Sequence, residues 1–323
     1  LSALWILIAN AWMQNPIGME FDPAQMRNVM DNFWDVAFNG VSMNKFFHAV
    51  TSGWVLAGTF VIGVSSWLLF KKSNVEAAKD SMKIGAWVGL IGCVLVMWTG
   101  DGSAVQVSKV QPMKLAAMEG LYDGKAGQEL VGVGVLNPNK QVGDNEDAML
   151  FSIDIPYGLS ILAKHDPNAF IPGINDLING YEVNENGETI TSLSYAERIE
   201  VGKKAQAALR AYGEAQEAGD KAAMEAAATE VKDNFKYFGY GYLSNPEEAV
   251  PNVPLTFYSF RVMVMAGGYL LALFVVLIFV SYRKRKLLEN KWLHYVGLIS
   301  IPVVWICSQA GWIVAECGRQ PWV

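Results

Sequence analysis

Hydrophobic residues fall into five long blocks separated by polar connections. Apolar runs cover Leu1 to Met13, Phe47 to Phe70, Lys83 to Gly100, Leu255 to Tyr282 and Trp292 to Ala315. A helix needs roughly 20 predominantly apolar residues to cross the hydrocarbon core of a bilayer. The last four runs therefore predict membrane-spanning helices, and the first reads as the tail of a helix whose start is absent. The chain opens on Leu1 without a methionine or charged leader and stops just after Trp322, so it reads as an internal piece of a longer protein.

The polar segment 101–254 is too long for a plain loop and is expected to carry structure of its own. Residues 101–175, rich in Gly, Pro and Asn, are expected to be irregular. Tyr181 to Thr191 holds Asn184-Glu185-Asn186-Gly187, a turn signal between short strand-like pieces, with helix as the alternative. From Tyr195 to Phe235 the Ala, Glu, Lys and Gln content predicts two helices broken near Ala218-Gly219-Asp220. The expected architecture is an all-α integral membrane protein, a transmembrane helix bundle with a long extracytoplasmic loop. Residues 1–100 and 255–323 form the membrane parts, and 101–254 form the loop.

Charge orients this arrangement. The 71–83 connection carries Lys71, Lys72, Lys79 and Lys83, and the 282–291 connection carries Arg283, Lys284, Arg285, Lys286 and Lys291. Both are expected on the cytoplasmic side by the positive-inside rule. Segment 101–250 has 23 acidic against 12 basic residues, a net of −11, while the remainder nets +5, so the acidic segment faces outward. With the 14–46 connection also outside, the spans alternate without conflict. Composition agrees, since 52% of residues are hydrophobic, only 17% are charged, and the mean hydropathy is +0.21.

Several chemistries lack support. Cys93, Cys307 and Cys317 lie in or beside apolar spans without ligand spacing, which argues against a disulfide framework or zinc site. There is no Gly-rich phosphate loop, no HExxH and no plausible Ser/His/Asp set. No nucleic-acid partner is expected.

Ligand chemistry at membrane depth remains. Of three histidines, His165 lies in the polar segment, His294 sits at the cytoplasmic end of a span, and His48 stands one turn inside the outer end of the 47–70 run. Met263 lies about two turns inside the outer end of the 255–282 run, preceded by Arg261. His48 and Met263 thus come to similar depth. A His/Met pair is a known axial ligation for low-spin haem, with Arg261 suited to a propionate; two purely structural residues are the competing reading. At the chain end, Glu316 and Arg319 close an apolar run, where charges are costly and usually functional. The same stretch also fits a helix stop, with Gly318 as C-cap, Arg319 as terminal cation, Pro321 as terminator and Trp322 as interfacial anchor.

Six blocks carry a family resemblance. They are Leu1-Ser2-Ala3-Leu4-Trp5-Ile6-Leu7, Ala9-Asn10-Ala11-Trp12-Met13-Gln14-Asn15-Pro16, Lys45-Phe46-Phe47-His48, Lys114-Leu115-Ala116-Ala117-Met118-Glu119, Phe260-Arg261-Val262-Met263 and Gly318-Arg319-Gln320-Pro321-Trp322. In this order they resemble subunit I of the cytochrome bd family of quinol oxidases, as an internal fragment lacking the N-terminal helices and the C-terminal end. In about 120–250 only length and position match.

The resemblance implies an enzyme of the bacterial inner membrane that oxidises quinol at the outer face. It implies reduction of dioxygen to water through three haems, two haem b and one haem d, contributing to the proton gradient. It implies a partner subunit II, possible small accessory subunits and surrounding membrane lipid. By motif match, His48 and Met263 are implied as axial ligands of the low-spin haem b, with Arg261 beside it. Glu316 is implied as ligand to a haem of the dioxygen-reducing pair, Arg319 as partner of haem propionates, and Trp312 as an aromatic between haems. Lys114 and Glu119 are the implied quinol-binding pair in the loop, where an ordinary surface ion pair is the competing reading. Where the family often follows the aspartate matching Asp101 with a second acid, this chain has Gly102. Two other functions compete. A membrane b-type cytochrome would only relay electrons from quinol to a partner, and a transporter would use Glu316 and Arg319 to line a pathway.

Overall fold

A computed structural model describes residues 2–22, 26–184 and 188–320. The helices are α1 (Ser2–Gln14), α2 (Phe33–Ala37), α3 (Gly40–Phe70), α4 (Val75–Val110), α5 (Pro112–Glu119), α6 (Gly158–Lys164), α7 (Ile174–Ile178), α8 (Tyr195–Ala218), α9 (Lys221–Asn234), α10 (Val253–Arg283) and α11 (Lys291–Cys317). Short strands pair as antiparallel two-stranded ribbons: β1 (Met19–Asp22) with β2 (Arg27–Met30), β3 (Lys125–Ala126) with β6 (Phe170–Ile171), β4 (Leu130–Leu136) with β5 (Met149–Ile155), and β7 (Tyr181–Val183) with β8 (Thr189–Thr191). The chain divides into two compact units, one of Leu1–Ser42, Ala104–Pro254 and Cys317–Val323, the other of Met43–Ser103 and Leu255–Glu316.

The second unit is helical, built from most of α3, α4, α10 and α11. Among the described residues, these helices belong to the four segments long and apolar enough to cross a membrane. Their packing relies on small residues that let backbones approach. A Cβ added to Gly58 on α3 would lie 2.6 Å from the Gly85 carbonyl oxygen and 2.7 Å from the Gly89 nitrogen of α4. Gly89 in turn is covered by the ring of Phe274 from α10. Ile62, Met82, Ala86, Leu270, Phe274 and Leu277 form the buried centre. Outward-facing positions stay apolar, with Ile84, Val94 and Trp98 exposed, as hydrocarbon requires and water would penalise.

The two basic connections meet at one end of this unit. Lys79, buried at the start of α4, bridges Glu76 at 2.9 Å and Glu289 at 2.8 Å, and Arg285 bridges Glu76 and Asp80 at 2.9 Å each. His294 belongs to the same end, where its Nε2 donates to the Leu288 carbonyl at 2.8 Å and stabilises the turn before α11.

The first unit carries the polar segment, and here one expectation is corrected. Residues 101–175 are not irregular: α4 runs on to Val110, and α5, the β4–β5 ribbon, α6 and α7 follow. The ribbon alternates. Val133, Val135, Phe151, Ile153 and Ile155 are exposed on it, while Val131, Met149, Ser152 and Asp154 line a cavity. Glycines in β4 and the absence of a two-residue turn hid it, because its strands are joined by a long connection over 137–148.

The short strands and the two-helix pattern expected further along do form. Strands β7 and β8 pair, and the turn expected between them falls on residues 185–187, which lie outside the described ones. The helix break falls where expected, with Gly219 left-handed at φ 72° closing α8 and the Asp220 carboxylate accepting from the Ala222 and Ala223 amides to start α9. A polar knot fastens α8. Arg198, buried among the rings of Tyr195, Tyr237 and Tyr240, donates to Leu193 O and to Glu182, which also receives Lys236 at 2.9 Å.

Candidate functional site

His48 lies on α3 at the end opposite the basic connections, where α3 faces the last turns of α4. Its Nδ1 is 2.9 Å from Thr99 Oγ1. One turn earlier on the same face, Asn44 donates from Nδ2 to Thr99 O at 3.0 Å and to Ser103 Oγ at 2.7 Å. Gly102 makes room for this contact, since a Cβ there would come within 3.2 Å of Asn44 Oδ1. The ring is half-buried, and among the described residues its Nε2 makes no hydrogen bond.

On α10, Arg261 is buried with its guanidinium stacked 3.8 Å from the Phe257 ring centroid. Met263, two residues on, packs its sulfur against α11 at Gly311, and Cys307 Sγ approaches the Met263 carbonyl at 3.4 Å. Trp312 follows Gly311 and is 48% exposed, and Glu316, one turn later on the same face, is half-buried in the last turn of α11. Gly267, one turn after Met263, and Gly268 have nothing within 4 Å of an added Cβ, which leaves a smooth open strip on α10.

In the first unit, Lys114 and Glu119 sit on α5, a helix with a proline in its first turn and left-handed Gly120 (φ 62°) as its stop. The surface-pair reading is corrected, because Lys114 is 5% and Glu119 2% exposed. Every residue from Met113 to Glu119 is buried, so α5 is a core element of this unit. Glu119 lies on the wall of a cavity of about 760 Å³, while Lys114 is not part of its lining. Tyr122, Gln128, Lys140, Asp144 and the polar face of β4–β5 are among the other lining residues. Lys140 bridges Asp144 at 2.6 Å and lies 5.0 Å from the Tyr122 ring centroid. Its ammonium, with the Gln141 and Glu146 amides, holds the Asp144 carboxyl below its usual range. Burial, helped by Asp144, pushes the Tyr122 phenol up. The lining holds seven Asp and Glu side chains against one lysine, a wall suited to receiving protons from a bound molecule.

Arg319 follows the end of α11, and its Nη1 lies 3.8 Å from Met13 Sδ of α1. Gly318 does not take the left-handed conformation of a glycine C-cap, although the helix does end at Cys317. Pro321 and Trp322 lie outside the described residues, as does Leu1. His165 closes α6 in a left-handed conformation, φ 54°, a local structural role. Sequence reasoning missed Thr99, Asn44 and Gln128 as site neighbours. The first two had a signal, namely small polar residues at the ends of apolar spans, which in a membrane must bond to a neighbouring helix.

Helix lengths, apolar outer faces and a structured polar segment define a helical integral membrane protein. The whole chain, residues 1–323, matches the family described as cytochrome bd terminal oxidase subunit I, and it belongs to that family. It is similar to the cytochrome bd-II ubiquinol oxidase subunit 1 of Escherichia coli (strain K12), with 33% identity over the full chain and 61% of that protein's length. It is also similar to the cytochrome bd ubiquinol oxidase subunit 1 of Bacillus subtilis (strain 168), with 27% identity over the full chain and 54% of that protein. Among solved structures, the bd oxidase from Geobacillus thermodenitrificans shares the fold, with a TM-score of 0.70 at 22% identity, over 99% of this chain and 56% of that one. The chain thus spans little more than half the length of these relatives.

Proposed function

We propose that this chain carries the quinol-oxidising and haem-bearing core of subunit I of a bacterial inner-membrane terminal oxidase. In this reading the enzyme, completed by subunit II and any small accessory subunits, oxidises quinol at the outer face and reduces dioxygen to water. The observation that carries it is Glu119, a carboxylate 2% exposed yet lining the large acidic cavity of the polar segment. A quinol must lose two protons with its two electrons, and a carboxylate at the wall is apt to accept one. Acidic neighbours along the wall offer further acceptors for such protons.

The donor chemistry of the second unit suits haem. His48 offers an Nε2 that is unengaged among the described residues, Met263 a thioether beside the open strip of Gly267 and Gly268, and Arg261 a buried cation for a propionate. Glu316, with Trp312 one turn before it, would serve the dioxygen-reducing pair, and Arg319 its propionates. Two haem b and one haem d bound there would supply one-electron carriers and an iron for dioxygen. This chain's own residues would contribute to holding and orienting them and would keep their surroundings apolar.

Glu119→Gln tests the reading. Quinol turnover should fall by about 100-fold, with all haem bands intact and turnover restored by a small artificial donor that bypasses the cavity. Normal quinol turnover would remove Glu119 from the chemistry. A reduced-minus-oxidised spectrum separates this reading from a b-type relay, which would show no chlorin band.

A further inference from the structure

We propose that Thr99 is a positioning residue for His48: it fixes the imidazole as the Nδ1–H tautomer and so reserves Nε2 for iron. The inference rests on the reading of His48 as a haem ligand. Thr99 Oγ1 lies 2.9 Å from the Leu95 carbonyl oxygen and 3.2 Å from that of Val96. Carbonyls only accept, so the single hydroxyl proton is spent within α4. Thr99 Oγ1 is also 2.9 Å from His48 Nδ1, and with its proton committed it can only accept there. With the hydroxyl proton donated within α4, Nδ1 carries the hydrogen of this bond. A neutral imidazole has one N–H, so the lone pair resides on Nε2.

Threonine bonding its own preceding turn is common in apolar helices and needs no function. That bond does not account for the second one to His48, nor for the way Thr99 is held. The Thr99 carbonyl receives Asn44 Nδ2 at 3.0 Å and Ser103 Oγ at 2.9 Å, and Asn44 stands one turn before His48 on the same helix face. The acceptor and the imidazole are thus held in one register by a second cross-helix contact. Metal-binding histidines are generally oriented by a partner on the other ring nitrogen, and that partner raises the basicity of the ligating one. Here a neutral hydroxyl takes the place of the usual carboxylate or carbonyl.

A more basic Nε2 favours ferric iron, so loss of the acceptor should raise the potential of the low-spin haem b. In the assembled, membrane-embedded oxidase, Thr99→Val keeps the shape and removes the acceptor. Redox titration of that haem should show its ferric/ferrous equilibrium shifted about tenfold toward ferrous, a rise of about 59 mV for one electron. Thr99→Ser, which keeps the hydroxyl, should titrate as wild type. Pulsed electron paramagnetic resonance of the unsubstituted enzyme adds a check that no variant's folding can obscure: the bound imidazole should show an exchangeable proton on Nδ1. An unchanged Thr99→Val potential, or iron bound through Nδ1, overturns the proposal. His48→Ala is the separate control. If it abolishes the low-spin band while Thr99→Val changes nothing, the ligand reading stands and only the role of Thr99 falls. If His48→Ala keeps the band, the ligand reading itself fails and takes the proposal with it.

Discussion

The sulfur of Met263 lies 2.9 Å from the point that a methyl group on Gly311 would occupy, so α10 and α11 meet at a thioether. That spacing is too tight for an added carbon, and Met263 would have to swing aside. A merely packed methionine adjusts at little cost, because its side chain is flexible. A methionine bound to iron cannot. Gly311→Ala should therefore leave thermal stability nearly unchanged and give the low-spin haem partly high-spin character. Met263→Leu should do the same with a lowered potential, while Met265→Leu, at a position 59% exposed, should be silent. Visible and paramagnetic resonance spectra of the three variants decide this, and a response from Met265→Leu alone would move the ligand.

Glu316 lies in the last turn of α11 on the same face as Trp312, a placement that a helix stop alone does not require. Glu316→Ala should perturb or remove the haems of the dioxygen-reducing pair and abolish oxygen consumption, with the low-spin haem b band retained. An unaltered spectrum would return this carboxylate to a structural role.

Close helix packing makes a stability prediction independent of any haem. Ala at Gly58 would press on the backbone of Gly85 and Gly89, neither of which can rotate away, so Gly58→Ala should cost about 1–3 kcal/mol. Gly213, in the C-terminal half of α8, has open space around it, and Gly213→Ala should stabilise by about 0.5–1 kcal/mol. Thermal unfolding in detergent, followed separately for the spans and the polar segment, should show opposite signs.

Acid should loosen the polar segment before it affects the spans. Partial burial alone would raise the Glu182 pKa, but hydrogen bonds from Ser192 and Lys236 and the charge of Arg198 outweigh it and hold the carboxyl below its ordinary value. A carboxyl depressed in the fold contributes its full stability above its unfolded pKa of about 4.3 and loses it as pH falls through the lower folded value. Hydrogen exchange in α8 should therefore accelerate below about pH 4, and Glu182→Gln should remove that dependence at the expense of stability at neutral pH.

Hydropathy and charge along the chain were sufficient for the four spans, because burial in lipid depends on side chains that can be read one by one. The α8–α9 break was legible for a similar reason, since Gly219 and Asp220 act on their own backbone and immediate neighbours. Motif order also marked His48, Met263, Glu316 and the Lys114–Glu119 helix. Only the folded chain decided that Lys114 and Glu119 are core residues rather than a surface pair. Spacing five apart fixes their relation to each other but says nothing of what packs over α5. The β4–β5 ribbon and its cavity were likewise hidden, since register between strands with a long connection is chosen by pairing, which no local run of residues encodes. The tautomer of His48 depends on a threonine 51 positions away whose proton is already spent on its own helix, and such a relation exists only once α3 and α4 lie side by side.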